Sequence, residues 1–234
     1  MDRPYIICLM MMSVDGKILS QKWGNNPKIK NLLKHFEQAH ENLGVPAWLC
    51  GRRTMEKDFT KGAKPLIKQG NQQVERKDFV GDKNATSYAI AIDADGKLGW
   101  EKKSLHGDHV ITILTEQVAD GYLAQLQEIG VSYIFAGKQK LDLHMALQKI
   151  HDIFHIEKLM LEGGGGINGS FLNEELIDEL HLLILPIADG TTETTSVFEI
   201  SEDLKKEGAT LMKLEAVKQI EDDVLWLTYK IQRG

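Results

Sequence analysis

Short apolar runs alternating with segments of helical period are the feature that most narrows the folds open to this chain. Tyr5–Met12 is an almost unbroken apolar run, the pattern of a strand covered on both faces, and Asp15-Gly16 breaks the chain just after it. Ala47–Cys50, Tyr88–Asp93, Val110–Leu114, Ser132–Phe135, Lys158–Leu161 and Leu180–Ile187 read as further strands. Between them lie helices. Pro27 opens one that runs through about Leu43 and places Ile29, Leu32, Leu33 and Phe36 on one face; Gly44 closes it. A second runs from about Val118 to Ile129, and a third from Leu143 to Phe154 carries a stripe of Leu143, Leu147, Ile150 and Phe154. The tail differs in kind. Thr210–Gln219 and Val224–Gln232 alternate around Glu221-Asp222-Asp223, as in an antiparallel hairpin that finishes a sheet. The expected class is α/β, with a central, mostly parallel sheet, flanking helices and a C-terminal antiparallel hairpin.

No repeat or linker divides the 234 residues, so one domain over 1–234 is expected. The polar stretch from Thr60 to Ser87 lacks a period and reads as a long loop or flap over the site. A formal charge of −6 argues against a nucleic-acid binder, whose footprint is basic, but not against a local anion site. Cys8 and Cys50 lie inside apolar runs and read as buried free thiols. Without a signal peptide or a membrane-spanning apolar stretch, a cytoplasmic protein with no membrane partner is expected. His151 and His155 have the i, i+4 spacing of metal-binding helices, yet no further ligand set or glutamate base accompanies them. No metal is expected.

Gly163-Gly164-Gly165-Gly166 directly follows a strand and precedes a helix that ends near Glu174 or Glu175. Glycine in regular structure costs about 0.5–1 kcal/mol relative to alanine, so such a run answers a need for positive φ or close approach. At a helix start, unpaired amides and the dipole favour a phosphate; a flexible turn is the plainer alternative. The run is continuous and late in the chain, which separates it from the dinucleotide fingerprint of a first βα turn.

The stretch from Leu161 through Glu162 and the glycines to Ile167-Asn168-Gly169-Ser170-Phe171-Leu172 resembles the "EGG…GSFL" signature of the riboflavin-biosynthesis pyrimidine reductases. That family is a branch of the dihydrofolate-reductase-like superfamily. Met12-Ser13-Val14-Asp15-Gly16-Lys17-Ile18 is similar to its "MSLDGKIA" motif and Ala91-Ile92-Asp93 to its "VLD" strand end. Beyond the glycines, Ile177-Asp178-Glu179-Leu180 and Leu185-Pro186-Ile187 also match the family's pattern. The resemblance covers most of the chain in order. It implies a dihydrofolate-reductase-like fold, a stand-alone NADPH-dependent reductase, a phosphorylated ribosylamino-pyrimidine substrate and a homodimer.

It also implies roles for individual residues. Ser13 meets the nicotinamide end, and Gly163, Gly164, Gly165, Gly166 and Ile167 receive the cofactor's pyrophosphate. Gly51-Arg52-Arg53-Thr54-Met55-Glu56 resembles the "GRxTxE" segment of dihydrofolate reductases, in which backbone and threonine meet phosphates and an arginine approaches the 2′-phosphate. Paired guanidinium groups suit that extra anion and favour NADPH over NADH. Asp15, Lys17 and Glu162 fall on the substrate side as the catalytic set, with Glu162 binding a ribose hydroxyl or the substrate. Trp23 and Lys30 match the ends of the "WISGPEAR" stretch, which makes Lys30 the candidate for a ribose phosphate; a solvated lysine is the alternative. Asp58 matches the first aspartate of "GAGTVLADDP", but Phe59 and Thr60 replace the next two residues of that motif, which opens the substrate to change. Two other readings remain. A pterin reductase of the same fold carries an acid two residues after the proline, where this chain has Ile29. A non-catalytic NADP(H)-binding protein would keep the phosphate contacts alone.

Overall fold

The computed structural model describes residues 2–67, 73–192, 194–206 and 208–232. Two compact units divide the chain, one of Met1–Pro4 with Pro46–Leu159 and one of Tyr5–Val45 with Met160–Gly234.

In the first unit the strands are β2 (Ala47–Gly51), β3 (Tyr88–Ile92), β4 (Ser104–Leu105), β5 (Asp108–Leu114) and β6 (Ser132–Phe135). β2, β3 and β5 lie side by side and parallel; β6 pairs parallel with β5, and the short β4 pairs with it antiparallel. Nearly every side chain in β2, β3, β5 and β6 is buried, which explains why these segments read as continuous apolar runs without alternation. Two helices return the chain, α3 (Asp120–Ile129) and α4 (Leu143–Phe154). The stripe Leu143, Leu147, Ile150 and Phe154 of α4 is buried as its spacing predicts. Asp142 caps α4 by accepting from the Met145 amide at 2.9 Å, an interaction worth about 1 kcal/mol. His155 lies beyond α4, with φ +55° as its C-cap, so the His151/His155 spacing forms no helical face pair.

The second unit holds Met160 and Leu161 of β7 (Lys158–Leu161), where its chain resumes, and β1 (Tyr5–Ser13), β8 (Glu179–Leu185), β10 (Leu225–Ile231) and β9 (Met212–Gln219), adjacent in that order. β1 and β8 are parallel; β10 is antiparallel to both β8 and β9. The mostly parallel sheet with an antiparallel C-terminal hairpin is the architecture the sequence leads one to expect. α1 (Pro27–Leu43) begins with Asn26, whose side chain accepts from the Lys28 amide, and ends at Gly44 with φ +59°. α5 (Gly165–Asn173) comes directly after β7.

Of the loop at 60–87, residues 68–72 lie outside the described residues. The part after them is tied down. Phe79 exchanges backbone hydrogen bonds with Tyr133 of β6, Asp78 accepts from the Phe135 amide at 2.8 Å, and the Ser132 hydroxyl accepts from the Gly81 amide. Arg76 reaches the Glu116 and Val118 carbonyls and the Asp120 carboxylate. These residues complete the edge of β6, a long-range pairing that no local period announces.

Candidate active site

In the first unit, β2 ends at Gly51 and α2 (Arg52–Thr54) begins there, continuing over Met55–Phe59 as a wider turn closed by a Thr60 amide to Met55 carbonyl bond of 3.0 Å. The two arginines differ. Arg52 donates to Glu56 at 2.6 Å, and Glu56 also takes Lys64; Lys64 first and Arg52 after it hold the Glu56 carboxyl below the usual range. Arg53 is exposed and makes no ion pair among the described residues. It is therefore the guanidinium of the pair with its donors available to a phosphate. Thr54 is half-buried and Asp58 is exposed, 3.6 Å from Lys57. Phe59 stacks on Trp48, ring centroids 4.9 Å apart, and meets His106 edge-on at 6.0 Å. A residue that breaks the family pattern thus has a packing role inside this unit.

In the second unit, β1 ends in a loop that closes on itself. Ser13 is buried; its hydroxyl donates to Asp15 at 2.6 Å and accepts from the Lys17 amide at 3.0 Å. The Asp15 carboxylate also accepts from the Asp189 amide at 3.0 Å and the Gly190 amide at 2.7 Å. The Ser13 hydroxyl and these two amides hold its carboxyl far below the usual carboxylate range. Asp15 is thus a fixed anion that ties the β1 loop to the loop after β8. Lys17 is half-buried with no ion pair among the described residues; Lys30 is exposed in the first turn of α1. Trp23 is buried just before that helix.

The four glycines do different things. Gly163, at φ +82°, adopts a backbone that only glycine tolerates readily, and a Cβ there would sit 3.0 Å from Met10 Sδ. At Gly165 a Cβ would lie 2.3 Å from the Ser196 carbonyl oxygen, and at Gly169 only 2.0 Å from that of Glu199. The backbone of 196–199 thus presses on α5, held by a Glu199 amide to Gly165 carbonyl bond of 2.9 Å. Packing explains these two glycines. Gly166 is different: it is exposed, and a Cβ there meets nothing within 4 Å. No side chain caps α5, whose N-cap is Gly164 and whose first turn has no acidic residue. Ile167 is the next residue, half-buried in that first turn. An uncapped helix start with an open glycine face fits a phosphate group.

Glu162 stands directly before this turn. Its Oε1 is 2.6 Å from Nδ1 of His40 on α1, and its side chain is 11% exposed. Cys8 of β1 is near enough for the Glu162 charge, after burial, to push its thiol up. Read from the sequence, His40 is a core or surface histidine; no local signal ties it to a residue 122 positions away. The Asp189–Gly190 amides and the 196–199 segment escape the sequence for the same reason.

Among the described residues, no cluster of three or more His, Cys, Asp or Glu is placed to hold a metal ion, and no helix is long and apolar enough to cross a membrane.

The chain is similar to several known proteins. The chain is 25% identical over 202 residues to a 2,5-diamino-6-ribosylamino-4(3H)-pyrimidinone 5′-phosphate reductase of Aquifex aeolicus, covering 81% of this chain and 80% of that one. The reductase of the same name from Methanothermobacter thermautotrophicus is 25% identical over 189 residues, 80% of each chain. Among solved structures, a pyrimidine reductase-like protein of Corynebacterium diphtheriae superposes with a TM-score of 0.66 at 17% identity, covering 99% of this chain and 93% of that one. The riboflavin biosynthesis reductase Rib7 of Saccharomyces cerevisiae gives 0.61 at 15%, over 99% and 91%. Both show the same fold. The model of the RibD C-terminal domain matches residues 4–226, and the chain belongs to that family, whose reductases use a nicotinamide cofactor.

Proposed function

We propose that this chain is an NADPH-dependent reductase that converts the ribosylamino group of a ribosylamino-pyrimidine 5′-phosphate to the ribityl form. The observation that carries the reading is the start of α5: uncapped, with the open face of Gly166, and with Glu162 immediately before it. The amides there receive the cofactor's pyrophosphate. Gly51, Thr54 and above all Arg53 serve the phosphates of the adenosine end, Arg53 being unpaired among the described residues. The sequence motifs that carry both sets assign them to one cofactor.

When bound, the nicotinamide supplies a hydride to C1′ of the sugar. The chain's own residues bind and orient. Glu162, a hydrogen-bond acceptor as a carboxylate, takes a ribose hydroxyl; Lys17 presents a cation to a polar group of the substrate; Trp23 and Lys30 belong to the phosphate side, with Asp58 nearby in sequence to the adenosine segment. Asp15 positions the loop of Ser13 and Lys17. Bound by three donors and held as an anion, it is not a proton donor.

Two substrates fit the class. One is the 5-amino-6-ribosylamino-uracil phosphate expected from the family motifs; the other is the 2,5-diamino-pyrimidinone phosphate for which the Aquifex and Methanothermobacter relatives are named. Steady-state NADPH oxidation with each decides between them, with NADH as the cofactor control. Binding of NADPH without turnover of either substrate would overturn the enzymatic reading and leave a nucleotide-binding protein.

The homodimer is supported by β9 and β10. Met212, Leu214 and Val217 lie across from Ile231, Tyr229 and Leu227, and a bulge between Thr228 and Tyr229 brings them to one face. Gln219 opposite Leu225 extends that face, and none of these paired residues is charged. Leu214 is 49% and Val217 55% exposed, on the last strand of the sheet. A twofold interface sets such a face against its own copy, which suits paired residues that carry no charge.

A further inference from the structure

We infer that His40 is a positioning residue for the reduction: it holds the Glu162 carboxylate in the orientation that receives the substrate. The inference rests on the reading that Glu162 binds the substrate. A carboxylate can only accept, so at 2.6 Å the proton between His40 Nδ1 and Glu162 Oε1 belongs to the imidazole. Oε1 is thereby occupied, and Oε2, which makes no hydrogen bond among the described residues, is the oxygen left for a ligand hydroxyl.

Glutamate has three side-chain torsions, and a carboxylate at the end of β7 beside an uncapped helix start has several places to go. His40 comes from another element, the last turn of α1. The pair is partly exposed, the His40 side chain at 31%, and exposed pairs contribute little to folding. Its effect is on where the carboxylate points. It also gives the acid beside the phosphate-binding turn a partner of its own, so that its carboxylate does not draw on the helix-start amides.

The test uses the full-length protein and both candidate pyrimidine phosphates. His40→Ala is expected to lower kcat/KM about tenfold, mainly through KM, as for loss of a hydrogen bond to a charged group. Its NADPH affinity stays within about twofold, because the helix-start amides are untouched. Asparagine places an N–H where the histidine Nδ1 lies, whereas glutamine projects it farther out. His40→Asn therefore recovers most of the activity and His40→Gln does not, a distinction that a packing role would not produce. In a Glu162→Gln background, His40→Ala has little further effect, because the two residues act as one unit. Wild-type kinetics for His40→Ala, or additive losses in the cycle, overturns the inference while leaving Glu162 in place. Wild-type kinetics for Glu162→Gln instead overturns the underlying reading, and the inference with it.

Discussion

Replacing glycines of α5 by alanine separates the two demands placed on that turn. At Gly166 a Cβ meets nothing within 4 Å, and its φ is not positive. Alanine relieves a helical glycine there, which is worth up to about 1 kcal/mol. For a chain of this size that raises Tm by about 2–4 °C. At Gly169 the added Cβ would lie 2.0 Å from the Glu199 carbonyl oxygen and 2.5 Å from its carbon. Ordinary contact begins near 3.4 Å, so α5 or the 196–199 backbone must move by more than about 1 Å, and overpacking of this kind costs about 1–3 kcal/mol. Gly166→Ala is therefore a more stable protein and Gly169→Ala a less stable one. The cofactor orders them differently. A methyl group on the open face of Gly166 obstructs the approach of a phosphate to the helix-start amides, and NADPH affinity falls about tenfold, as for one lost charge-assisted hydrogen bond. Thermal unfolding and fluorescence titration with NADPH measure the two quantities on the same samples. Wild-type NADPH affinity in Gly166→Ala would refute the assignment of this face to the phosphate. Wild-type stability in Gly169→Ala would refute the packing account of that glycine.

Arg53→Ala should reduce the preference for NADPH over NADH about tenfold, whereas Arg52→Ala, which breaks the bond to Glu56, should reduce it less; equal losses in cofactor titrations would contradict the division of labour between them. Asp15→Asn should loosen the loop after β8, seen as faster amide exchange at Asp189 and Gly190. The Asp15 carboxyl is depressed in the folded state, so its contribution to stability is complete above the unfolded value of about 3.9 and is lost as pH falls through the lower folded value. His109 is depressed by burial beside Ser132, and its contribution is complete above about 6.5 and declines as pH drops through its lower folded value. In His109→Gln the slope of the unfolding midpoint between about pH 5 and 7 should flatten; an unchanged slope would exclude this histidine as its source. Val217→Lys places a charge on the exposed face of β9 and should shift sedimentation from dimer to monomer; a monomeric wild type would refute the dimer.

Helix and strand identity was legible because burial imposes local periods. α4 runs from Leu143 to Phe154 as its stripe requires, and α1 begins and ends at Pro27 and Leu43, where the cap residues Asn26 and Gly44 flank it. Edges shift where tertiary pairing takes over. α3 starts at Asp120, β3 stops at Ile92 and β8 at Leu185, and the two-residue β4 has no period to betray it. Phe59 shows the same limit at the level of a side chain: the sequence marks it as a departure, and only its stacking on Trp48 says what it does.

The glycine run marks both boundaries. By itself the sequence determined that a strand meets a helix at Gly163–Gly166, that an acid precedes the turn, and that the motifs there belong to a reductase family. Those are properties of neighbouring residues and survive in one dimension. Only the tertiary structure decided that Gly165 and Gly169 answer to the backbone of 196–199, that Gly166 opens outward, and that His40 meets Glu162. Each is a contact between segments far apart in the chain. Its existence depends on how the second unit packs, and packing distance leaves no trace in spacing or composition.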